Sequence, residues 1–213
     1  MSGKKPLPLA DLLKDTRVIP VMTVHDPDEA FETAKALASG GFSVLEITLR
    51  TSHAWPTLER IQKELPELIL GVGTITEIEQ LEQASEKGVR FAVSAFLNES
   101  LIEESQRLGL PYIPAVETTS EVARALKYGC NILKLFPAET TNGLKRLKDF
   151  QPIFPETKFI PTGGMNQQNF LKYLSLSNVL AVGGGWMMPG KLVARKDWQS
   201  ITELAHRINS ICS

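Results

Sequence analysis

The sequence predicts an α/β protein with a single domain, a (β/α)8 TIM barrel preceded by a short N-terminal helix. Short apolar segments alternate with longer amphipathic segments along the chain of 213 residues. This alternation is typical of parallel strands joined by crossover helices, and eight such units in about 200 residues fit one compact barrel. An open doubly wound sheet is the alternative. No linker or change in composition interrupts the pattern, so we expect residues 1–213 to form one domain.

The elements follow in a regular order. Residues 9–15 are predicted to be a short amphipathic helix that packs on the domain. The eight apolar runs predicted to be strands cover residues 18–24, 43–49, 68–73, 90–94, 111–116, 131–136, 158–162 and 179–184. Helix-start signals follow most of them, for example the proline and acids of residues 26–29. Glycines such as Gly88 and Gly109 mark helix ends.

Composition and charge exclude several classes of protein. A formal net charge of −1 and a pI near 6.3 provide no electrostatic basis for binding nucleic acid or an anionic membrane. No apolar run approaches the ~20 residues of a membrane span, and the N-terminus lacks the apolar core of a signal peptide. Cys130 and Cys212 lack metal-site and disulfide-framework spacing, and the three histidines are scattered. We therefore expect no metal site and a reduced, cytoplasmic setting.

Lys134 stands inside the predicted sixth strand, in the sequence NILKLF at residues 131–136. Lysine is rarely buried without a partner or a chemical role. Strand alternation puts Lys134 on the same face as Phe136, and in a barrel that face points inward. Burial disfavours the ammonium form of a lysine, and a neutral amine can attack a ketone to form a Schiff base. The position therefore predicts a nucleophilic lysine.

Glu46 lies in the second strand, in the sequence VLEITLR, and is expected to enter the barrel near Lys134. Schiff-base chemistry needs one group that protonates a departing hydroxyl and a base that moves the enamine proton, and a carboxyl group can do both. A buried pair with a purely structural role is the alternative, although desolvation often outweighs its Coulomb energy. Arg50, on the same face at the strand end, is either a carboxylate-binding group or a surface arginine.

Glycine-rich segments end three of the predicted strands. PTGGMN at residues 161–166 and AVGGGWM at residues 181–187 follow strands seven and eight, where barrels frequently bind phosphate through backbone N–H groups. Glycines are common turn residues, but they also let the backbone approach an anion closely. We therefore predict a phosphate site between these segments. GVGT at residues 71–74 ends the third strand and places Thr74 at the mouth.

Five motifs in this order resemble those of the 2-keto-3-deoxy-6-phosphogluconate (KDPG)/4-hydroxy-2-oxoglutarate aldolase family. They are VLEITLR, GVGT, LKLFPAE, PTGG and GG-x-W, within a match from residue 18 to about residue 191. The resemblance implies a class I aldolase, a lyase without metal or organic cofactor. It would reversibly cleave a phosphorylated keto-deoxy sugar acid to pyruvate and glyceraldehyde 3-phosphate. It also implies a homotrimer and a setting in sugar-acid catabolism by the Entner–Doudoroff route.

The resemblance also implies a role for individual residues. Lys134 would form the Schiff base, and Glu46 would be the general acid and base. The implied substrate-binding residues are Arg50 and Thr74 for the carboxylate, Phe136 against the intermediate, Thr162 for the hydroxyl-bearing carbons, and Gly163, Gly164, Gly184 and Gly185 for the phosphate.

Three segments differ from the common family pattern. Ala95 and Phe96 stand where SPG or SPH is usual, and Phe96 could narrow the mouth. Gly185 replaces the serine of GGSW and removes a hydroxyl group, while Glu117 replaces a small residue and could add negative charge. These changes leave open a preference for an unphosphorylated substrate such as 4-hydroxy-2-oxoglutarate.

Two other kinds of function remain open at this point. One is a metal-dependent or acid/base isomerase or synthase on a phosphate-binding barrel, which would not need a buried lysine. The other is a non-catalytic sugar-acid sensor, for which only the altered loops argue. Neither explains why Lys134 and Glu46 occur together on inward-facing strand positions.

Overall fold

A computed structural model describes residues 8–212 of the chain. The strands are β1 Val18–Thr23, β2 Val44–Thr48, β3 Ile69–Gly73, β4 Phe91–Val93, β5 Tyr112–Ile113, β6 Ala115–Val116, β7 Ile132–Leu135, β8 Lys158–Pro161 and β9 Val182–Gly184. The helices are α1 Leu9–Leu12, α2 Pro27–Ser39, α3 Ala54–Glu64, α4 Ile78–Glu86, α5 Glu99–Leu108, α6 Thr119–Lys127, α7 Gly143–Phe150, α8 Phe170–Leu174, α9 Gly190–Ala194 and α10 Trp198–Cys212, with a 3-10 turn at Glu139–Thr141.

Every strand pairing in the two sheets is parallel. Six strands form one sheet in the order β5-β4-β3-β2-β1-β9, and three form a second sheet in the order β6-β7-β8. Strands that follow each other in the chain are therefore mostly neighbours, with helices as the connections. The predicted α/β fold with parallel strands is confirmed.

The prediction of eight uninterrupted strands is wrong for the fifth strand, which is divided into β5 and β6 at Pro114. Proline has no N–H group and cannot donate a hydrogen bond to a neighbouring strand. The carbonyl oxygen of Pro114 still accepts from the N–H of Lys134 at 3.0 Å, so the chain continues in the same direction. The missing donor lies at one of the two places where the six-stranded and three-stranded sheets separate, and the other is between β8 and β9.

The predicted eighth strand, residues 179–184, is regular only in its last half as β9. Two isolated parallel bridges join it to the β8 side, between Phe159 and Val179 and between Thr162 and Gly183. The N-terminal helix is also shorter than predicted. It ends at Leu12 because a turn in which Thr16 N–H donates to Leu13 follows it.

Two apolar clusters lie on opposite faces of the strands. The larger one joins the outward faces to the helices. The smaller one contains Leu12, Leu13, Ile19, Val44, Phe91, Val93, Ile113, Ile132, Ile160 and Ala181. Side chains from most strands thus meet in one interior, as strand alternation predicts. Leu12 and Leu13, at and just after the end of α1, belong to this cluster together with Val44 and Ile132, the first residues of β2 and β7, which places α1 near the end where the strands begin.

The same alternation places polar residues in the interior beyond this apolar cluster, toward the carboxyl ends of the strands. Glu46 lies two positions beyond Val44, and Lys134 lies two positions beyond Ile132. Lys134 is the last residue but one of β7 and Glu46 is the central residue of β2, so both lie toward the carboxyl ends from the strand starts, on the side where the catalytic residues of parallel α/β enzymes commonly lie. Within residues 8–212, no helix has the length and apolar character needed to cross a membrane.

Candidate active site

Lys134 of β7 and Glu46 of β2 meet in the interior although they belong to different sheets. Lys134 Nζ donates to Glu46 Oε1 across 3.4 Å. The two side chains are 7% and 6% exposed, so both polar groups are almost completely removed from solvent. The structure therefore brings together the two residues that the sequence predicts to carry the chemistry.

Gly73 of β3 leaves the space that the Glu46 carboxyl group occupies. It pairs with Thr48 in the parallel register, beside Glu46 on the neighbouring strand. A methyl group on Gly73 would lie 2.8 Å from Glu46 Cδ, which is closer than real side chains approach. Strand alternation alone does not single out this residue. The signal in the sequence is a glycine inside a strand, which often marks a close approach.

The Phe136 ring lies beside Lys134 at the end of β7. Its centroid is 5.4 Å from Lys134 Nζ. On its other side is the glycine loop, because a methyl group on Gly163 would lie 3.2 Å from Phe136 Cε2. The half-buried ring thus forms an apolar wall between the amine and that loop.

Thr74 and Arg50 follow the ends of β3 and β2. Thr74 is half-buried and has a φ of 64°, a conformation that is rare for a β-branched residue. Such strain is often found at functional sites. The Arg50 side chain is exposed, and within residues 8–212 its guanidinium makes no ion pair or hydrogen bond. Its charge is therefore available to a ligand.

Thr162 lies directly after β8, buried beside Gly183. A methyl group on Gly183 would overlap Thr162 Oγ1, so the glycine makes room for this hydroxyl group. Among residues 8–212, the only hydrogen bond of the hydroxyl group is a long one, 3.4 Å, to the carbonyl oxygen of Ile160. It can therefore form a better hydrogen bond to a ligand.

The loop after Thr162 presents backbone donors. Gly163 and Gly164 have φ angles of 94° and 81°, which favour glycine. The Gly164 carbonyl oxygen accepts from Asn166 Nδ2 at 3.2 Å and from Asn169 Nδ2 at 3.0 Å. The N–H groups of Gly163 and Gly164, in contrast, find no acceptor among the described residues. The two asparagine side chains thus fix the Gly164 carbonyl group, while the N–H groups of Gly163 and Gly164 are available to an anion.

The second glycine segment has the same character. Trp186 packs over Gly184, where a methyl group would lie 2.6 Å from Trp186 Cζ3. The carbonyl oxygen of exposed Gly185 accepts from Met188 N–H at 3.1 Å. The N–H groups of Gly185 and Trp186 have no acceptor within residues 8–212. Both predicted phosphate-binding segments therefore retain unused donors.

The unusual residues at the mouth have different environments. Phe96 is 40% exposed, and Ser94 Oγ donates to its carbonyl oxygen at 2.6 Å. Glu117 does not add an unbalanced negative charge, because Arg146 pairs with its carboxylate at 3.1 Å and also donates to its carbonyl oxygen at 2.7 Å. Among the residues described, no group of three His, Cys, Asp or Glu side chains could hold a metal ion.

A parallel α/β fold with a buried lysine–glutamate pair in its strands is an arrangement that suits an enzyme of the Schiff-base class. A sequence profile described as KDPG and KHG aldolase matches residues 9–204. The chain belongs to this family of aldolases, which are carbon–carbon lyases.

Known proteins with similar sequences and structures are named as aldolases of this family. The 2-dehydro-3-deoxy-phosphogluconate aldolase of Pseudoalteromonas atlantica is 40% identical over 195 residues, which are 92% of this chain and 91% of the relative. The KDPG aldolase of Legionella pneumophila, with pyruvate captured as a covalent carbinolamine, has a TM-score of 0.88 at 37% identity, covering 92% of this chain and 95% of that one. The Zymomonas mobilis enzyme with 3-phosphoglycerate has a TM-score of 0.87 at 35% identity, covering 92% of each chain.

Proposed function

We propose that this protein is a class I aldolase that cleaves KDPG to pyruvate and glyceraldehyde 3-phosphate. It would also cleave 4-hydroxy-2-oxoglutarate to pyruvate and glyoxylate. The observation that carries the proposal is the 3.4 Å contact between the buried groups Lys134 Nζ and Glu46 Oε1. Family membership supports it, as does the pyruvate carbinolamine in the Legionella relative. An isomerase, a synthase and a sensor gain no support from these relatives.

In the proposed first step, the neutral amine of Lys134 attacks the C2 ketone of the substrate. The carbinolamine that forms loses its hydroxyl group as water after Glu46 supplies a proton. The product is an iminium ion between Nζ and C2, and the carboxylate of Glu46 is now a base. Phe136, whose ring centroid is 5.4 Å from Nζ, would keep water from the reacting atoms on one side.

In the proposed second step, the Glu46 carboxylate removes the proton of the C4 hydroxyl group. The C3–C4 bond breaks, its electron pair moves into the iminium system, and the aldehyde leaves. The resulting enamine takes a proton from Glu46 at C3, and water then releases pyruvate and restores the lysine amine. One carboxyl group serves both directions of proton transfer because it lies beside the amine throughout.

The carboxylate of the substrate would lie at the ends of β2 and β3. The exposed and unpaired guanidinium of Arg50 can bind a carboxylate with two hydrogen bonds. Thr74 would add its hydroxyl group, held in place by the unusual backbone at this residue. Thr162, whose hydroxyl group makes a long hydrogen bond of 3.4 Å to Ile160, would contact the hydroxyl-bearing carbons.

The phosphate group would lie between the two glycine segments. The unused N–H groups of Gly163, Gly164 and Gly185 support this assignment, with Gly184 allowing Trp186 to pack close to the backbone. Backbone donors in a glycine-rich loop suit a phosphate group. Because they are independent of side chains, the serine replaced by Gly185 is not essential for this binding.

We also infer a closed (β/α)8 barrel for the single domain of residues 1–213. The two bridges from the β8 side to residues 179 and 183 and the continuity of β5 and β6 around Pro114 support closure. We propose a cytoplasmic homotrimer without metal or organic cofactor, which serves sugar-acid catabolism by the Entner–Doudoroff route. Analytical ultracentrifugation tests the trimer, and a sedimenting monomer would contradict it.

A trapping experiment tests the proposed function. The protein is incubated with pyruvate and sodium borohydride, digested and analysed by mass spectrometry. We expect a reduced pyruvate adduct on the peptide that contains Lys134, and neither an adduct nor cleavage of KDPG in a folded Lys134→Ala variant. A folded wild-type protein without an adduct, or full activity of the variant, would contradict the assignment.

A further inference from the structure

The loop that follows the β7 lysine is tied to the first glycine segment. We call residues 136–142 the lysine loop and residues 162–166 the glycine loop. Ala138 N–H donates to the Thr162 carbonyl oxygen at 2.8 Å, and Glu139 N–H donates to the Gly163 carbonyl oxygen at 3.1 Å. The two loops therefore form one hydrogen-bonded unit, in which a displacement of one moves the other.

The Glu139 side chain adds a second connection. A methyl group on Gly164 would lie 2.6 Å from Glu139 Cβ, so the stem of the glutamate packs directly on the glycine loop. Its carboxylate accepts a hydrogen bond from the Tyr173 hydroxyl group at 2.5 Å. Gly143 leaves space for that hydroxyl group, since a methyl group there would be 3.0 Å from it.

Tyr173 is a suitable anchor for this contact. It is fully buried and lies on α8, a short helix that begins soon after the glycine loop. Burial, and then the neighbouring carboxylate of Glu139, raise the pKa of Tyr173 far above its ordinary value. The phenol therefore remains a donor at neutral and moderately alkaline pH, and a hydrogen bond to a carboxylate is stronger than one between neutral groups.

We propose that Glu139 and Tyr173 are positioning residues that hold the Gly163 and Gly164 N–H groups in place for the phosphate group. The pair thereby sets how strongly phosphorylated substrates are preferred over unphosphorylated ones. This inference rests on the proposed function and deepens it. Arg50 and Thr74, at the carboxylate end of the site, follow strands of the other sheet and are not part of these two loops, so the pair should not affect carboxylate binding.

The test compares two substrates in three variants. Glu139→Ala and Tyr173→Phe each remove the hydrogen bond, whereas Glu139→Gln keeps an acceptor for the phenol. We expect the first two to raise KM for KDPG about tenfold, the effect of one lost hydrogen bond to a charged group. Their kcat/KM for 4-hydroxy-2-oxoglutarate should stay within about twofold of the wild-type value on the same scale, and Glu139→Gln should largely restore KM for KDPG.

Two controls make the result specific. Tyr112→Phe makes the same change at another buried tyrosine, on β5 in the other sheet, and should leave the ratio of the two substrates unchanged. Because Glu139 is exposed, Glu139→Ala stays informative if Tyr173→Phe does not fold. Equal losses for both substrates, or no loss for KDPG, would overturn the inference. A wild-type protein without a pyruvate adduct would instead overturn the proposed function.

Discussion

Lys134 Nζ lies 3.4 Å from Glu46 Oε1, and neither side chain is more than 7% exposed. The pair links β7 of the three-stranded sheet to β2 of the six-stranded sheet. Burial of two ionisable groups is costly unless each compensates the other. The contact therefore has consequences for stability as well as for chemistry.

Removal of one member of the pair should destabilise the protein more than removal of both. We expect Lys134→Met to lower the free energy of unfolding by about 3–5 kcal/mol, because it leaves the Glu46 carboxyl group buried without its partner. The double variant Lys134→Met/Glu46→Gln should recover a large part of this loss. Urea unfolding at neutral pH measures both values. Equal stability of the single and double variants would show that the two groups are not coupled.

Gly73→Ala should impair catalysis without unfolding the protein. The added methyl group would come within 2.8 Å of Glu46 Cδ and displace the carboxyl group from Lys134. Since general acid–base catalysis contributes about 10²–10⁴-fold, we expect kcat for KDPG to fall at least about 10²-fold. Gly190→Ala is the matched control, because nothing lies within 4 Å of a methyl group there. A Gly73→Ala enzyme with normal kcat would contradict the assigned role of Glu46.

Thr74→Gly should separate stability from substrate binding. At a φ of 64° threonine is strained by about 1–2 kcal/mol, and glycine is not. The relief of this strain offsets the greater conformational entropy that glycine loses on folding. We therefore expect a variant no less stable than the wild type but with a raised KM for pyruvate in the trapping assay. Thr76→Gly, where φ is not positive, should lose stability instead. An unchanged KM in Thr74→Gly would remove Thr74 from the carboxylate site.

The stabilising effect of Glu121 at the start of α6 should depend on pH. Partial burial alone would raise the pKa of this carboxyl group, but hydrogen bonds from Glu117 and Thr118 outweigh it and hold the pKa below its ordinary value. A lowered pKa in the folded state gives stability above the unfolded pKa that is lost as pH falls through the folded value.

Glu121→Ala should therefore be less stable than the wild type at pH 7, by about 1 kcal/mol for a helix cap. The difference should shrink as the pH falls below about 4, the range in which glutamate titrates. Thermal unfolding at several pH values measures this, with Glu103→Ala at an exposed position of α5 as the control. A constant difference at all pH values would show that the charge of Glu121 is not involved.

Much of the site could be predicted because a strand has a period of two residues. Once Lys134 and Glu46 are placed on strands, their inward direction follows from the neighbouring residues alone. The break in the fifth strand was not predicted, although the signal for it is the proline at position 114, which lacks an N–H group. These features depend on short stretches of sequence.

The features that could not be predicted depend on residues distant in the chain. Tyr173 and Glu139 are 34 positions apart, and Arg146 and Glu117 are 29 positions apart. No local pattern indicates that these side chains meet. The pairing of Glu117 with Arg146 also shows why an unusual charge cannot be interpreted from one position, because its partner determines whether it acts on the site.

The position of Leu12 and Leu13 at the end where the strands begin affects how substrate and products reach and leave the site. These side chains belong to a buried apolar cluster with the first residues of β2 and β7, whereas Lys134 lies one residue from the end of its strand, so we expect substrate and both products to use the opening at the carboxyl ends of the strands. During the proposed reaction pyruvate is attached to Lys134, deep in that passage, while the aldehyde lies nearer the exit. Release is therefore ordered, with the aldehyde first and pyruvate second. In the synthetic direction, pyruvate must enter before the aldehyde. A large aldehyde that binds first would inhibit the reaction by keeping pyruvate from Lys134.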